Sequence, residues 1–238
     1  MDRGSSNKNV VAIIPARKGS KGIANKNIKN FCGKPLIYWS IKSAINSKYI
    51  DRVYVTSDCD KTLKLSKEYG AFPIKRPSNI SGDSASSETA WIHALSVIEK
   101  NNYKVDLVVG IQATSPVRTS KDFSKAIELM NKEKIDSLLT VTEVEDNFLW
   151  KLNSNNELES INYDYRDRLL RQKIKKRYLE NGSFYIFKPL ILTKNKNRLG
   201  GKIGIYKMDK HKSFQIDNPE DMKLCESIMK GYGLDKNE

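Results

Sequence analysis

Cysteine and histidine are scarce in this chain of 238 residues: Cys32, Cys59 and Cys225, with His93 and His211, are all there are. The cysteines are odd in number, far apart and without a CxxC pair. Neither a disulfide framework nor a zinc cluster is indicated, and they read as packing residues. The two histidines are too few and too scattered for a metal triad, and no Ser/His/Asp or Cys/His arrangement is evident, which disfavours nucleophilic hydrolase chemistry. No apolar run approaches the roughly 18 residues that cross a bilayer. The opening residues Met1 to Ser6 lack the apolar stretch of a secretory signal, so a cytoplasmic location is expected. Neither GxxxxGK[ST] nor GxGxxG occurs, and P-loop NTPases and dinucleotide-binding dehydrogenases lose their main support.

Acidic residues are also outnumbered, 28 against 42 basic ones, for a formal net charge of +14. Such an excess predicts anionic partners: nucleic acid, a membrane surface or a phosphate-rich substrate. Many lysines (Lys61, Lys64, Lys67; Lys121, Lys125, Lys132) fall singly on predicted helix surfaces, where they are simply solvated. With 39% hydrophobic and 29% charged residues the composition is that of an ordinary globular protein, with one domain expected across 1–238.

Val10 to Ile14 is continuously apolar, rich in β-branched residues and stopped by Pro15, as for a strand buried on both faces of a parallel sheet. After a long polar loop, Pro35 suits the first turn of a helix with Leu36, Ile37, Ile41, Ala44 and Ile45 at helical spacing. The alternation continues. Val53 to Thr56 reads as a strand and Asp60 to Tyr69 as a helix ended by Gly70. Ala90, Trp91, Ala94, Leu95 and Ile98 form one helix face, and Leu107 to Ile111 is another buried strand. Thr119 with Asp122 resembles a capping box before Phe123, Ala126, Ile127 and Met130, and Ser137 to Thr142 closes the series as a strand. This order predicts an α/β, three-layer, Rossmann-like sheet.

From about Glu143 to Asn181 the alternation fails, and Tyr163 to Glu180 carries seven basic residues against three acidic ones. The stretch reads as an insertion. Strand character returns at Ser183 to Phe187 and Ile203 to Met208, and Asn218, Pro219, Glu220 and Asp221 signal a helix start with Met222, Cys225 and Ile228 inward.

The segment after the first strand carries the chemistry. In Pro15, Ala16, Arg17, Lys18, Gly19, Ser20, Lys21, Gly22 and then Asn25, Lys26, Asn27, two glycines let backbone N–H groups curl toward an anion. Arg17, Lys21 and Lys26 bring charge to the strand's carboxyl end, where open α/β sheets bind ligands. A polyphosphate cradle has this composition, and so has a basic surface loop without a ligand.

These residues, continued by Gly33, Lys34, Pro35 and Leu36, resemble the signature of the acylneuraminate cytidylyltransferases, the CMP-sialic acid synthetases, a group that includes enzymes for legionaminic acid. Further matches follow in order: Thr56, Ser57, Asp58; Arg76, Pro77; Asp83 to Ser87; Gln112 to Arg118; Arg171, Gln172; Asn181 to Tyr185. The resemblance implies transfer of CMP from CTP to the anomeric hydroxyl of a nonulosonic acid, with pyrophosphate released and Mg²⁺ required. It implies a catalytic role for Arg17, Lys21 and Lys26, with Gly19 and Ser20 in the nucleotide loop and Asn27, Arg76 and Ser87 around the cytidine. Gln112, Arg171, Asn181 and Tyr185 match acceptor positions, and Asp217 matches a Mg²⁺ ligand. Where many members carry a second aspartate this chain has Gln215, a form closer to the cytidylyltransferases for the eight-carbon sugar KDO. Lys175 replaces a frequent proline. The resemblance also makes 143–181 a dimerisation segment, with a homodimer and small-molecule substrates, rather than nucleic acid or membrane, as partners.

Local readings compete at several positions: Arg76 as a plain loop charge, the serines of 83–87 as helix caps, Tyr185 as a core aromatic, Asp217 as a residue merely preceding the Asn218 cap. The rival enzyme class is KDO or another sugar nucleotidyltransferase. The rival of another kind is a basic nucleic-acid-binding protein, with Tyr163, Tyr165 and Tyr178 interleaved in the basic stretch as stacking platforms. Negative charge builds on the α-phosphate and the departing pyrophosphate, so fixed cations matter most. Lys21→Ala is expected to lower kcat on the order of 10²-fold, and near-normal turnover of the purified variant removes Lys21 from the mechanism.

Overall fold

Val10 to Pro15 form β1 because five apolar side chains in succession can be buried only if both faces of the strand are covered. In the computed structural model, which describes residues 8–19, 22–144 and 147–236, they are covered. Val10, Ala12 and Ile14 enter one core, and Val11 and Ile13 enter the other. The remaining strands are β2 (Asn30–Phe31), β3 (Lys34–Pro35), β4 (Arg52–Ser57), β5 (Phe72–Lys75), β6 (Leu107–Ile111), β7 (Ser137–Val144), β8 (Trp150–Leu152), β9 (Leu158–Ser160), β10 (Arg177–Phe187) and β11 (Ile203–Lys207). The helices are α1 (Leu36–Ile45), α2 (Asp60–Glu68), α3 (Ser87–Lys100), α4 (Ser120–Glu133), α5 (Pro189–Asn195) and α6 (Pro219–Gly231).

Seven strands make the central sheet in the order β11-β7-β10-β6-β1-β4-β5. The sheet is mixed: β10 runs antiparallel to both β6 and β7, while the other pairings are parallel. Helices α1 and α4 cover one face through Ile37, Ile41, Ala44, Phe123, Ala126 and Ile127; α3 covers the other through Trp91, Ala94, Leu95 and Ile98. The α/β layered class expected from the alternation is therefore present. Ile45, expected inward, is 38% exposed at the last turn of α1. The six lysines expected to be solvated on α2 and α4 are all exposed.

A third apolar cluster lies at the carboxyl end of β1. Ile23, Phe31, Leu36, Trp39 and Val117 there receive Ile216, Met222, Cys225 and Met229 from α6 and its approach. Asn218 caps α6 by accepting from the N–H groups of Glu220 and Asp221, with Asp221 completing the box, so the helix start is fixed beside the loop that follows β1. Thr119 and Asp122 form the capping box of α4 that their spacing predicts.

The segment read as an insertion begins and ends inside the sheet. β7 runs on to Val144 and β10 begins at Arg177, pairing Arg177 with Val144 before a register shift between Glu180 and Tyr185. Gly182 sits in that shift at φ 63°, and a Cβ there would come within 2.6 Å of Gln215 Nε2. Between the two strands, β8 and β9 form a hairpin of their own.

Candidate functional site

Strand order decides where a ligand fits. From β1 the chain proceeds to β4 and β5 on one side and then returns to β6 on the other, so the carboxyl ends of β1 and β6 flank the point where the order reverses. A cavity of about 220 Å³ opens there, lined by Pro15, Arg17, Gly19, Lys26, Asn27, Arg76, Ala85, Ser86, Ser87, Gln112, Ala113 and Thr114. Seven residues to which the family resemblance gives a site role meet in it: Arg17, Gly19, Lys26, Asn27, Arg76, Ser87 and Gln112. A more open cavity shares Arg17 and Gly19 and adds Lys18, Asn25, Asp58 and Asp83.

The loop after β1 is anchored at each end. Ala16 N donates to Thr56 O at 3.0 Å, Lys18 N donates to Asp58 Oδ1 at 2.8 Å, and Asn27 Nδ2 donates to Arg17 O at 3.1 Å. Lys26 occupies the short 3-10 turn Lys26–Ile28 and is nearly buried; its Nζ donates to Ile216 O at 2.6 Å and lies 3.3 Å from Asp217 Oδ1. Gly22 makes this docking possible, because a Cβ at that position would stand 1.8 Å from Asp217 O. Arg17 reaches across the opening to Asp83, with Nη1 2.5 Å from Oδ1.

Arg76 is the electrostatic anomaly of the site. It is only 4% exposed, yet among the described residues its Nε and Nη2 have no hydrogen-bond partner. Burial draws its pKa downward and the neighbouring Arg17 charge adds to this, with Asp58 opposing. A guanidinium held this way is stabilised by an incoming acceptor or anion. The serines divide their work: Ser86 caps α3 by accepting from Thr89 N, whereas Ser87 Oγ faces Gln112 Nε2 at 3.3 Å in the cavity wall.

Other expected residues lie elsewhere. Asn181 is buried, with Nδ2 3.4 Å from Ser213 Oγ and Oδ1 accepting from Ser183 N. Tyr185 is buried beside Trp91, and its hydroxyl donates to Glu180 Oε1; burial first, then that bond, pushes the phenol up to about 12. Asp217 meets Lys26 but does not line the cavity, and its side chain is 74% exposed. Ser20 and Lys21 lie outside the described residues, as does the side chain of Arg171, whose backbone opens the 3-10 turn Arg171–Lys173.

Sequence reasoning gave no role to Arg118, which proves to be buried and to brace the turn after β6. Its Nη1 donates to Gln112 O at 3.1 Å and to Ser115 O. Its place in Gln112 to Arg118 was visible in the sequence, but its burial was not.

Comparison with known proteins supplies the family. A family model described as Cytidylyltransferase matches residues 11–237. N-acylneuraminate cytidylyltransferase A of Danio rerio is 35% identical over 237 residues, 97% of this chain and 54% of that protein. The chain spans about half the length of this relative and of the Oncorhynchus mykiss N-acylneuraminate cytidylyltransferase, also 35% identical. Pseudaminic acid cytidylyltransferase of Campylobacter jejuni subsp. jejuni serotype O:23/36 (strain 81-176) is 35% identical over 179 residues, covering 74% of this chain and 76% of its own. The solved structure of CMP:2-keto-3-deoxy-manno-octonic acid synthetase complexed with CTP superimposes with TM-score 0.68 at 14% identity, covering 94% of this chain and 99% of that one. A 4-diphosphocytidyl-2C-methyl-D-erythritol synthase gives TM-score 0.70 at 11% identity, covering 94% and 100%. The last two establish likeness of fold, and the family model, matched over residues 11–237, leads to one conclusion: this chain belongs to the cytidylyltransferase family.

Proposed function

We propose that the protein transfers CMP from CTP to the anomeric hydroxyl of a nonulosonic acid. The anomeric oxygen attacks the α-phosphorus, the bond from that phosphorus to the β-phosphate bridge breaks, pyrophosphate leaves, and the hydroxyl proton is lost. The observation that carries this reading is Arg76, a buried guanidinium with unsatisfied donors in a cavity that also gathers Arg17, Lys26, Asn27, Ser87 and Gln112. Donors in a site largely withdrawn from water stabilise developing phosphate charge far better than the same groups in bulk solvent. Arg17 and Lys26 suit the phosphates, while Asn27, Ser87 and Arg76 suit the ring oxygens, carbonyls and hydroxyls of a cytidine. The curated relatives named above support the sugar class.

Mg²⁺ takes one or two carboxylates together with phosphate oxygens and water. Among the described residues no cluster of three or more His, Cys, Asp or Glu side chains could hold a metal. The exposed carboxylate of Asp217 beside Lys26 fits a site that the phosphates complete, while the amide nitrogen of Gln215 is committed to Asn181 O at 2.8 Å. Bound there, the ion would neutralise phosphate charge. Asp217→Asn is expected to shift the Mg²⁺ titration of turnover to higher concentration by at least about tenfold, and an unchanged titration returns Asp217 to a purely structural position before α6.

The segment 143–181 is proposed to pack against a second copy of the chain. Leu149, Trp150, Leu152, Leu158, Ile161 and Tyr165 are all more than 40% exposed there, an apolar patch of the kind that marks an interface. Among the described residues no helix is long and apolar enough to cross a membrane, and the proposed location is the cytoplasm, where CTP is supplied. The test is a pyrophosphate-release screen with CTP over neuraminic, legionaminic and pseudaminic acids, hydroxyl analogues and KDO. Turnover of KDO alone, or tight salt-dependent nucleic-acid binding without turnover, would displace the reading.

A further inference from the structure

One half-buried charge pair adjoins the cavity without belonging to it. Arg198, in the turn between α5 and β11, donates from Nε to Glu88 Oε1 at 2.6 Å, with the two side chains 20% and 16% exposed. Its guanidinium lies 4.9 Å from the centre of the Trp91 ring and 4.5 Å from that of Tyr185. An ion pair and two ring faces fix a planar cation in one orientation, an arrangement that an ammonium on a flexible stem does not reproduce.

The position of the pair follows from chain connectivity and strand register. Glu88 is the next residue after Ser87, whose Oγ meets Gln112 in the cavity wall. Tyr185 pairs with Gly110, two residues before Gln112. With a side-chain period of two, Gln112 falls on the face of the sheet that Tyr185 shares with Trp91. Arg198 therefore lies on the α3 face of the sheet against Trp91 and Tyr185, beside the cavity that Gln112 lines rather than among its lining residues.

Charge decides what such a wall can recognise. Burial alone would raise the Glu88 carboxyl, but the hydrogen bond and charge of Arg198 hold it below its ordinary value, and the pair stays ionised in neutral solution. Because Glu88 already neutralises the guanidinium, the pair has little net attraction for the acceptor's own carboxylate. The bond to Glu88 uses Nε and the Tyr185 hydroxyl is a second partner of the guanidinium, so a neutral acceptor oxygen would share its terminal N–H groups with that hydroxyl. A wall built to hydrogen-bond a substituent discriminates strongly against sugars that lack it, whereas an apolar wall discriminates weakly.

We propose that Arg198, held by Glu88 between Trp91 and Tyr185, is a specificity-determining residue of the acceptor half of the site and selects sugars by a neutral hydrogen-bonding substituent, an acylamino group or a hydroxyl. The inference rests on the cytidylyl transfer proposed above. Its test uses the full chain and the sugars of the same screen, compared pairwise as acylamino against hydroxyl at one carbon. Arg198→Leu and Arg198→Lys are expected to change the ratio of kcat/KM for such a pair by about tenfold or more, with KM for CTP within about twofold of the parent. Glu88→Gln is expected to shift the ratio in the same direction by less, and it carries the comparison with Arg198→Lys should Arg198→Leu not fold. An equal fall for both sugars, or an effect confined to KM for CTP, overturns the inference and leaves Arg198 as a packing residue. Failure of the parent protein to use CTP with any of the sugars overturns the proposed function and this inference together.

Discussion

Arg76→Met is expected to weaken CTP binding by at least about 10²-fold, as when hydrogen bonds from a charged group are lost, while leaving the melting temperature of the ligand-free protein unchanged or raised. The two signs differ for one reason. Arg76 is 4% exposed with Nε and Nη2 unpaired among the described residues, so in the empty protein it bears a desolvation cost that its partners do not offset. Methionine fills similar volume without that cost and offers nothing to a nucleotide. Calorimetric titration with CTP alongside thermal unfolding reads both quantities. A lower melting temperature with unaltered CTP affinity would falsify the assignment and make Arg76 a structural brace.

Gly22→Ala is the second large effect. The Cβ would stand 1.8 Å from Asp217 O and 3.0 Å from its carbonyl carbon, and both are backbone atoms that cannot rotate away. The loop after β1 must lift from the start of α6, and Lys26, whose Nζ reaches Ile216 O and Asp217, must lose that register. Displacements of about 1 Å at reacting groups cost on the order of 10²-fold in turnover, and overpacking costs about 1–3 kcal/mol of stability. Both losses are expected, in kcat and in urea unfolding respectively. Parental kinetics in the alanine variant would mean that the contact between loop and helix does not position Lys26.

Much of the framework was readable because it is local. Five successive apolar residues define β1, Thr119 and Asp122 announce the start of α4, and Asn218 with Asp221 announces that of α6, each within a few residues of chain. What stayed hidden depends on distant partners. β5 carries Pro73, which weakens any strand signal and is tolerated because β5 lies at the sheet edge. The antiparallel insertion of β10 between β6 and β7 leaves no trace in local periodicity, since a strand buried on both faces reads alike in either direction. Asp122 was legible as a cap, but its ion pair with Lys212, at 2.9 Å across 90 residues, was not.

By itself the sequence determined the alternating framework and the chemistry at the end of β1: glycines, cations and amides, in an order that points to a polyphosphate and to a cytidylyltransferase. Only the tertiary structure decided how those groups are used. Burial left Arg76 without a partner, strand register tied Tyr185 to Glu180 and set it against Arg198, and the docking of α6 gave Lys26 its neighbours. Side-chain type is written in the chain, whereas solvation and partnership, which set the free energy of a charge, exist only after distant segments meet.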